Sequence, residues 1–451
     1  MSLFLRNCRK RWILPKRPLV RFNSRHFIHE KPDSNLQNQH QLRTALERFI
    51  KKEASRPLPT VSLDDLLRFS FVASHKDKPL MLIENANDTL SDMFVLVTKR
   101  LSEFMKLPYI VVLNPKIAEI YNSYLETLKV LLDFVAECDP ECEIADDELN
   151  FKIQNLDQND KFLEVLKQTI DIHTDNLSIL SEGFEEISGL TMINDTTFLN
   201  EHLQERILMR LLANHHIQLS EQLKNVGGEF EGLDHIGIIE PNLNVLEILE
   251  RSFGFVNDMA SLKYDEKIRM DVRTVTINSD ESATEYNIEN FETAQGHPVL
   301  RFPYISAHIE YVLNEILKNS TRAHIENEVR VPIETLIVVN KPDVTKEGPQ
   351  FYHLEIRISD QGLGIDPEVE KKLFDYSFTT FDSESVDGDS YKTLNHTGGN
   401  QANIIAGMGY GLPLSLTYNR LFHGDIQLKT VHGFGTTVYL KWIGVDAKKL
   451  V

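Results

Sequence analysis

The sequence predicts an α+β protein in two parts, an N-terminal four-helix bundle followed by a mixed-sheet domain with helices on one face. Three observations carry this. Apolar residues at helical spacing fill residues 40–250. After residue 250 the period shortens to the strand alternation of Asp271 to Ile277. One helix-period segment, about 305–326, then stands among the strands with two glycine clusters downstream, the arrangement of an α+β layer.

At 451 residues the chain is long enough for two or three domains with sizeable cores. No apolar run reaches the 18 residues a membrane helix needs, so no membrane span is expected. Cys8, Cys138 and Cys142 form neither a disulfide framework nor a zinc site.

The first 29 residues hold no Asp or Glu but carry Arg6, Arg9, Lys10, Arg11, Lys16, Arg17, Arg21 and Arg25 among Leu3, Phe4, Leu5, Trp12, Ile13 and Leu14. An acid-free, Arg-rich start reads as a mitochondrial transit peptide, expected over residues 1–25, and places the protein in the mitochondrial matrix. Its removal takes away eight cations and no acid, moving the net charge from −19 to −27. So acidic a chain repels phosphate backbones, and no nucleic acid partner is expected.

Four amphipathic helices are expected next. One carries Phe94, Val97, Leu101, Phe104 and Met105; a second Tyr124, Leu125, Leu128, Leu131, Leu132 and Val135; a third spans about 161–190; a fourth runs from Phe198 to Leu219. Breaks fall at Leu107-Pro108, at the acidic stretch 138–149, read as a solvated loop, at Asn194-Asp195 and at Gly227-Gly228. The bundle domain is expected over 40–250 and the second domain over 251–451.

In that second part, strands are predicted at 271–277, 333–339 and 352–359, with a terminal hairpin, 425–431 and 436–442, turned at His432-Gly433. On the helix at 305–326, Val312, Leu313, Ile316 and Leu317 make the buried stripe, while Glu315, Lys318, Asn319 and Arg322 fall on a second face. Such a face is often only solvated, but a carboxylate, an amide and two cations could hold a metal ion and a polyphosphate. The strand at 352–359 runs into Asp360-Gln361-Gly362-Leu363-Gly364, where the glycines let the backbone approach a flat ligand and Asp360 can accept from an exocyclic amine. Gly407-Met408-Gly409-Tyr410-Gly411-Leu412-Pro413 opens a helix, so its backbone N–H groups can converge on an anion. The polar stretch 382–403 upstream reads as a lid. Neither a Rossmann fingerprint nor a Walker P-loop is present.

Glu315-x3-Asn319, Asp360-x-Gly362-x-Gly364, Gly407-x-Gly409-x-Gly411 and Gly435-Thr436 occur in the order of the GHKL ATP-binding fold, and the second part resembles its α/β sandwich. Ser62-Leu63-Asp64-Asp65-Leu66-Leu67, Asn114-Pro115, His235-Ile236-Gly237, Glu240-Pro241-Asn242, Asn319-Ser320-Thr321-Arg322-Ala323 and Gly409-Tyr410-Gly411-Leu412-Pro413 narrow the resemblance to the mitochondrial 2-oxo-acid dehydrogenase kinases over about residues 40–443. The resemblance implies ATP and Mg2+ as cofactors. It implies Glu315 as general base, Asn319 as the Mg2+ ligand, and Lys318 and Arg322 beside the nucleotide. Asp360, Gly362, Gly364 and Thr436 would meet the adenine, while Thr379, Thr380 and residues Gly407, Met408, Gly409, Tyr410, Gly411 and Leu412 would complete the nucleotide site. Where the family often has a histidine one turn before the base, this chain has Tyr311; His308 matches another family histidine, and Arg206 and Arg210 match arginines of a regulatory pocket.

The implied activity is phosphorylation, by Mg-ATP, of serine on the decarboxylase α subunit of the pyruvate dehydrogenase complex, which inactivates it. The branched-chain complex is the alternative substrate, favoured by Asp375-Tyr376-Ser377-Phe378-Thr379-Thr380. The implied partners are that subunit, the lipoyl domain of the acyltransferase core, and a second copy of the chain or a paralogous kinase. Two readings from other classes, a GHKL ATPase without protein substrate and a silent adaptor, would be separated from the kinase by phosphate release without an acceptor.

Overall fold

The computed structural model describes residues 20–21, 36–68, 78–140, 142–145, 148–174, 176–187, 195–226, 235–292, 296–375 and 411–447. The elements begin with β1 (Val20–Arg21), α1 (Leu36–Ala54), α2 (Leu63–Leu66), α3 (Lys78–Lys106), α4 (Tyr109–Val112) and α5 (Pro115–Cys138). They continue with β2 (Glu143–Ala145), β3 (Glu148–Leu149), α6 (Leu156–Ile172), α7 (Asn176–Ile187), α8 (Asp195–Val226) and α9 (Val245–Tyr264). Then follow β4 (Met270–Ile277), β5 (Ala283–Ile288), α10 (Ser306–Glu326), β6 (Ile333–Asn340) and β7 (Phe351–Asp360). The last are α11 (Pro367–Glu370), α12 (Gly411–Arg420), β8 (Asp425–Val431) and β9 (Gly435–Asp446). The chain divides into two compact units: Met1–Thr60, Ser74–Asp195 and Glu205–Glu229; and Val61–Ala73, Thr196–Gln204 and Phe230–Val451.

The first unit is mainly helical. Asn114 caps α5, its side-chain oxygen accepting from Lys116 N at 2.9 Å, and Pro115 occupies the first turn, where its missing N–H costs nothing. Phe94, Val97, Leu101, Leu128, Leu131, Phe162 and Leu166 are buried as their spacing predicts, whereas Met105 at the end of α3 is exposed. Arg100 on α3 pairs with Glu205 on α8 at 2.8 Å, both buried.

Two expectations are corrected here. The continuous helix expected over 161–190 is interrupted after Ile172. There Arg206 donates to the carbonyls of His173 (3.0 Å) and Thr174 (3.4 Å), and the His173 ring is held by Thr127 (2.9 Å) and Asn176 (2.7 Å). Tertiary hydrogen bonds thus replace the helical ones. The acidic stretch read as a loop contains β2 and β3, which form a small antiparallel sheet with β1.

The second unit is a six-stranded sheet in the order β5-β4-β6-β7-β9-β8, with β4 and β6 parallel and every other neighbour antiparallel. The helix over 245–264 belongs to this unit and packs along α10, although the sequence boundary was expected at 251. Strand β5 was not foreseen: in Ala-Thr-Glu-Tyr-Asn-Ile only Ile288 is buried, so this edge strand shows no alternation. Among the described residues no helix is long and apolar enough to cross a membrane.

Candidate active site

Helix α10 is the spine of the site. Its stripe of Ile309, Val312, Leu313, Ile316 and Leu317 is fully buried, and this fixes the rotation of the helix and hence the direction of every polar group on it. Glu315 lies at the border of that stripe, with only 9% of its side chain exposed. Lys318, one turn on, donates from Nζ to Glu315 Oε1.

The other carboxylate oxygen faces the start of α12. A Cβ on Gly411 would collide with Glu315 Oε2 and come within 3.2 Å of Glu315 Cδ, so glycine here lets the carboxylate sit against the start of α12. Glu315 therefore sits between an ammonium group and a helix N-terminus, both of which attract negative charge. Leu412 follows half-buried on α12.

The predicted face of four splits. Glu315 and Lys318 meet; Asn319 is exposed; and Arg322 bonds Glu326 through Nε at 2.6 Å. Behind Glu315 lies an aromatic layer. Tyr311 rests on Tyr418 with ring centroids 5.0 Å apart, and His308 contacts Tyr418 at 4.7 Å and Phe422 at 6.0 Å. Burial pushes the His308 imidazole down to about 3, so it is neutral at physiological pH.

The second cluster forms where β7 ends beside β9. Asp360 pairs across the sheet with Thr436, and its Oδ1 accepts from the backbone N–H of Gly362 (3.1 Å) and Thr436 (3.3 Å). Ser320 Oγ donates to Asp360 Oδ2 at 3.5 Å. Burial raises the Asp360 carboxyl above its ordinary value, and these three donors oppose the shift. Gly364 turns the chain with φ +71°, and Ile365 N then donates to Thr430 Oγ1 at 2.8 Å. Thr430 and Thr436 share a hydroxyl contact of 3.1 Å.

Sequence reasoning passed over Ser320, His324 and Thr430. Ser320 and His324 are spaced i, i+4, and a histidine within the buried stripe was the available signal. Thr379, Thr380, Gly407, Met408, Gly409 and Tyr410, together with the lid stretch 382–403, lie outside the described residues. In the first unit, His173, Arg206 and Arg210 line one small cavity between α6 and α8. Both His173 ring nitrogens are already engaged there, and burial pushes its imidazole down to about 3.

Residues 60–240 match a family model described as mitochondrial branched-chain alpha-ketoacid dehydrogenase kinase. Residues 305–445 match one described as histidine kinase-, DNA gyrase B- and HSP90-like ATPase. A Saccharomyces cerevisiae protein, mitochondrial [pyruvate dehydrogenase (acetyl-transferring)] kinase 1, is 30% identical over 415 residues, covering 91% of each chain. The human mitochondrial isozyme 1 of the same kinase is 26% identical over 385 residues, covering 80% of this chain and 75% of its own. Isozyme 4 of Rattus norvegicus is 26% identical over 377 residues.

Proposed function

The chain belongs to the mitochondrial pyruvate dehydrogenase kinase family and is a protein-serine kinase with a GHKL ATP-binding domain, and on that premise we propose how it works and on what. It acts in the mitochondrial matrix, transferring the terminal phosphoryl group of Mg-ATP to a serine of the decarboxylase α subunit of the pyruvate dehydrogenase complex. The phosphorylated complex is inactive. The kinase docks on the lipoyl domain of the acyltransferase core and works as a homodimer or beside a paralogous kinase.

The observation that carries the chemistry is the setting of Glu315. A carboxylate with one oxygen on Lys318 and the other against the start of α12 is held still, as a group that must orient a hydroxyl and take its proton should be. Lys318 then faces the charge that accumulates during transfer, and α12 offers backbone N–H groups to the phosphates. ATP would be held by Asp360, whose Oδ2 takes the exocyclic amine, within the turn of Gly362 and Gly364 and beside Thr436. Arg322, Gly407, Met408, Gly409, Tyr410, Leu412, Thr379 and Thr380 complete the assignment.

Among the described residues no three His, Cys, Asp or Glu stand together as a metal cage. Mg2+ suits this arrangement, because it is commonly held by one or two protein oxygens together with phosphates and waters. Asn319, exposed one turn beyond Glu315, would be its protein ligand and orient the triphosphate.

The 30% identity over 91% of the chain favours pyruvate dehydrogenase as substrate, while the model matched by the helical part carries the branched-chain name. Offering the purified kinase labelled Mg-ATP with each complex in parallel, and Glu315→Gln as control, tests both. Label on the pyruvate decarboxylase α subunit, lost in the variant, is expected. Label only on the branched-chain subunit would move the substrate and keep the chemistry. Label on neither, with rapid phosphate release, would replace the kinase mechanism by an ATPase one.

A further inference from the structure

The corner after β7 rests on α10 through contacts that the proposed roles above do not use. His324 is fully buried, and its Nε2 accepts the backbone N–H of Gln361 at 3.0 Å. Gln361 is the first residue beyond the sheet ladder, which ends at Asp360–Thr436, so its N–H has no strand partner. One residue on, Gly362 lies so close to α10 that a Cβ there would meet Ala323 Cβ at 2.8 Å. One turn back, Ser320 reaches Asp360 Oδ2. Three α10 residues on one side of the helix, Ser320, Ala323 and His324, therefore seat the successive corner residues Asp360, Gly362 and Gln361.

The corner matters because of how Asp360 is held. Two backbone hydrogen bonds go to Oδ1, while among the described residues Oδ2 carries only the 3.5 Å contact with Ser320, so Oδ2 is the oxygen left to a ligand. The direction of that oxygen depends on the Asp360 backbone and hence on the plane of the Asp360–Gln361 peptide. That peptide is the one His324 grips. Burial lowers the His324 imidazole below its ordinary value, with the Val331 backbone opposing, so at neutral pH the ring keeps an unprotonated nitrogen to accept with.

We propose that His324 is a positioning residue for base recognition: by fixing the Gln361 N–H it aims the Asp360 carboxylate at the exocyclic amine of adenine. The inference rests on the assignment of Asp360 to the nucleotide base. An amino group is what separates adenine from the carbonyl of guanine at the position Asp360 reads, so the signature is discrimination between ATP and GTP and not overall stability.

The test is equilibrium binding of ATP and GTP to the full-length wild type and to His324→Leu, His324→Asn and His324→Gln, with thermal melting and steady-state kinetics alongside. Leu removes the acceptor, Asn is too short to reach Gln361, and Gln can place its amide oxygen near the position of Nε2. ATP affinity is expected to fall about tenfold in the Leu and Asn variants, the worth of one well-placed hydrogen bond. GTP affinity should change little, KM for ATP should rise more than kcat falls, and Gln should restore the preference. A Leu or Asn variant that melts like wild type and still prefers ATP overturns the inference. Asp360→Asn separates the layers: if it loses ATP while the His324 variants do not, only the inference fails. If Asp360→Asn binds ATP as well as wild type, the assignment of the base site fails and the inference with it.

Discussion

Gly411→Ala adds one methyl group where α12 begins against Glu315 of α10, and the new Cβ would collide with Glu315 Oε2 and lie 3.2 Å from Glu315 Cδ. Comfortable carbon contacts begin near ~3.5 Å, so the carboxylate must retreat by about 1 Å or swing off Lys318. A displacement of about 1 Å at a reacting group costs on the order of 10²-fold in rate, or about 2.7 kcal/mol of barrier. Folding should suffer little, since the atom the new Cβ meets is the far end of the Glu315 side chain, which can rotate away. The assay is initial-rate transfer to the protein substrate in a double-mutant cycle with Glu315→Gln, which alone should cost about 10²–10⁴-fold. In the Glu315→Gln background the alanine should add almost nothing, because the group it displaces has already lost its function. Wild-type rates in Gly411→Ala would refute the reasoning, and so would an undiminished 10²-fold loss in the double variant.

Asn319→Ala should abolish Mg-dependent ATP binding in titration calorimetry while leaving the melting temperature unchanged, because the side chain is exposed; retained Mg2+ dependence would remove it from metal ligation. Acidification should weaken the helical unit. His173 and His216 are both pushed down to about 3, chiefly by burial, so the folded state keeps them neutral while the unfolded chain takes up protons below pH 6.5. Their contribution is complete above about pH 6.5 and is lost as the pH falls towards 3, at about 1.4 kcal/mol per pH unit for each. Asp92, raised to about 6 chiefly by burial and then by Asp88, blunts the loss. Urea unfolding at pH 7 and pH 5 measures it, with a smaller slope expected for His216→Gln; a slope unchanged in that variant would rule out His216 as a source.

The period of the apolar residues determined most of the architecture without a structure. Helix α10 and strands β4, β6, β7 and β8 lie within a residue or two of where their alternation puts them, and the apolar rows of α3 and α5 fall inside helices that begin well before them, since burial on one face imposes a period that the residues themselves carry. The motifs that name Glu315, Asn319, Asp360 and the glycines are each local in the chain, so the sequence alone could single them out as candidates. Hidden from the sequence was whatever depended on a partner distant along it. The break at His173 comes from Arg206, 33 residues away; β5 is a strand because β4 offers it a ladder; α9 joins the sheet unit because α10 packs on it. The face of four shows the same limit. Helical geometry placed Glu315, Lys318, Asn319 and Arg322 together, but tertiary packing buried Glu315, turned Arg322 to Glu326 and brought Gly411 from 96 residues downstream against the carboxylate. Spacing along a helix states which side chains share a side. Which of them meet is decided by the surfaces brought against that side, and these come from residues that no local window contains.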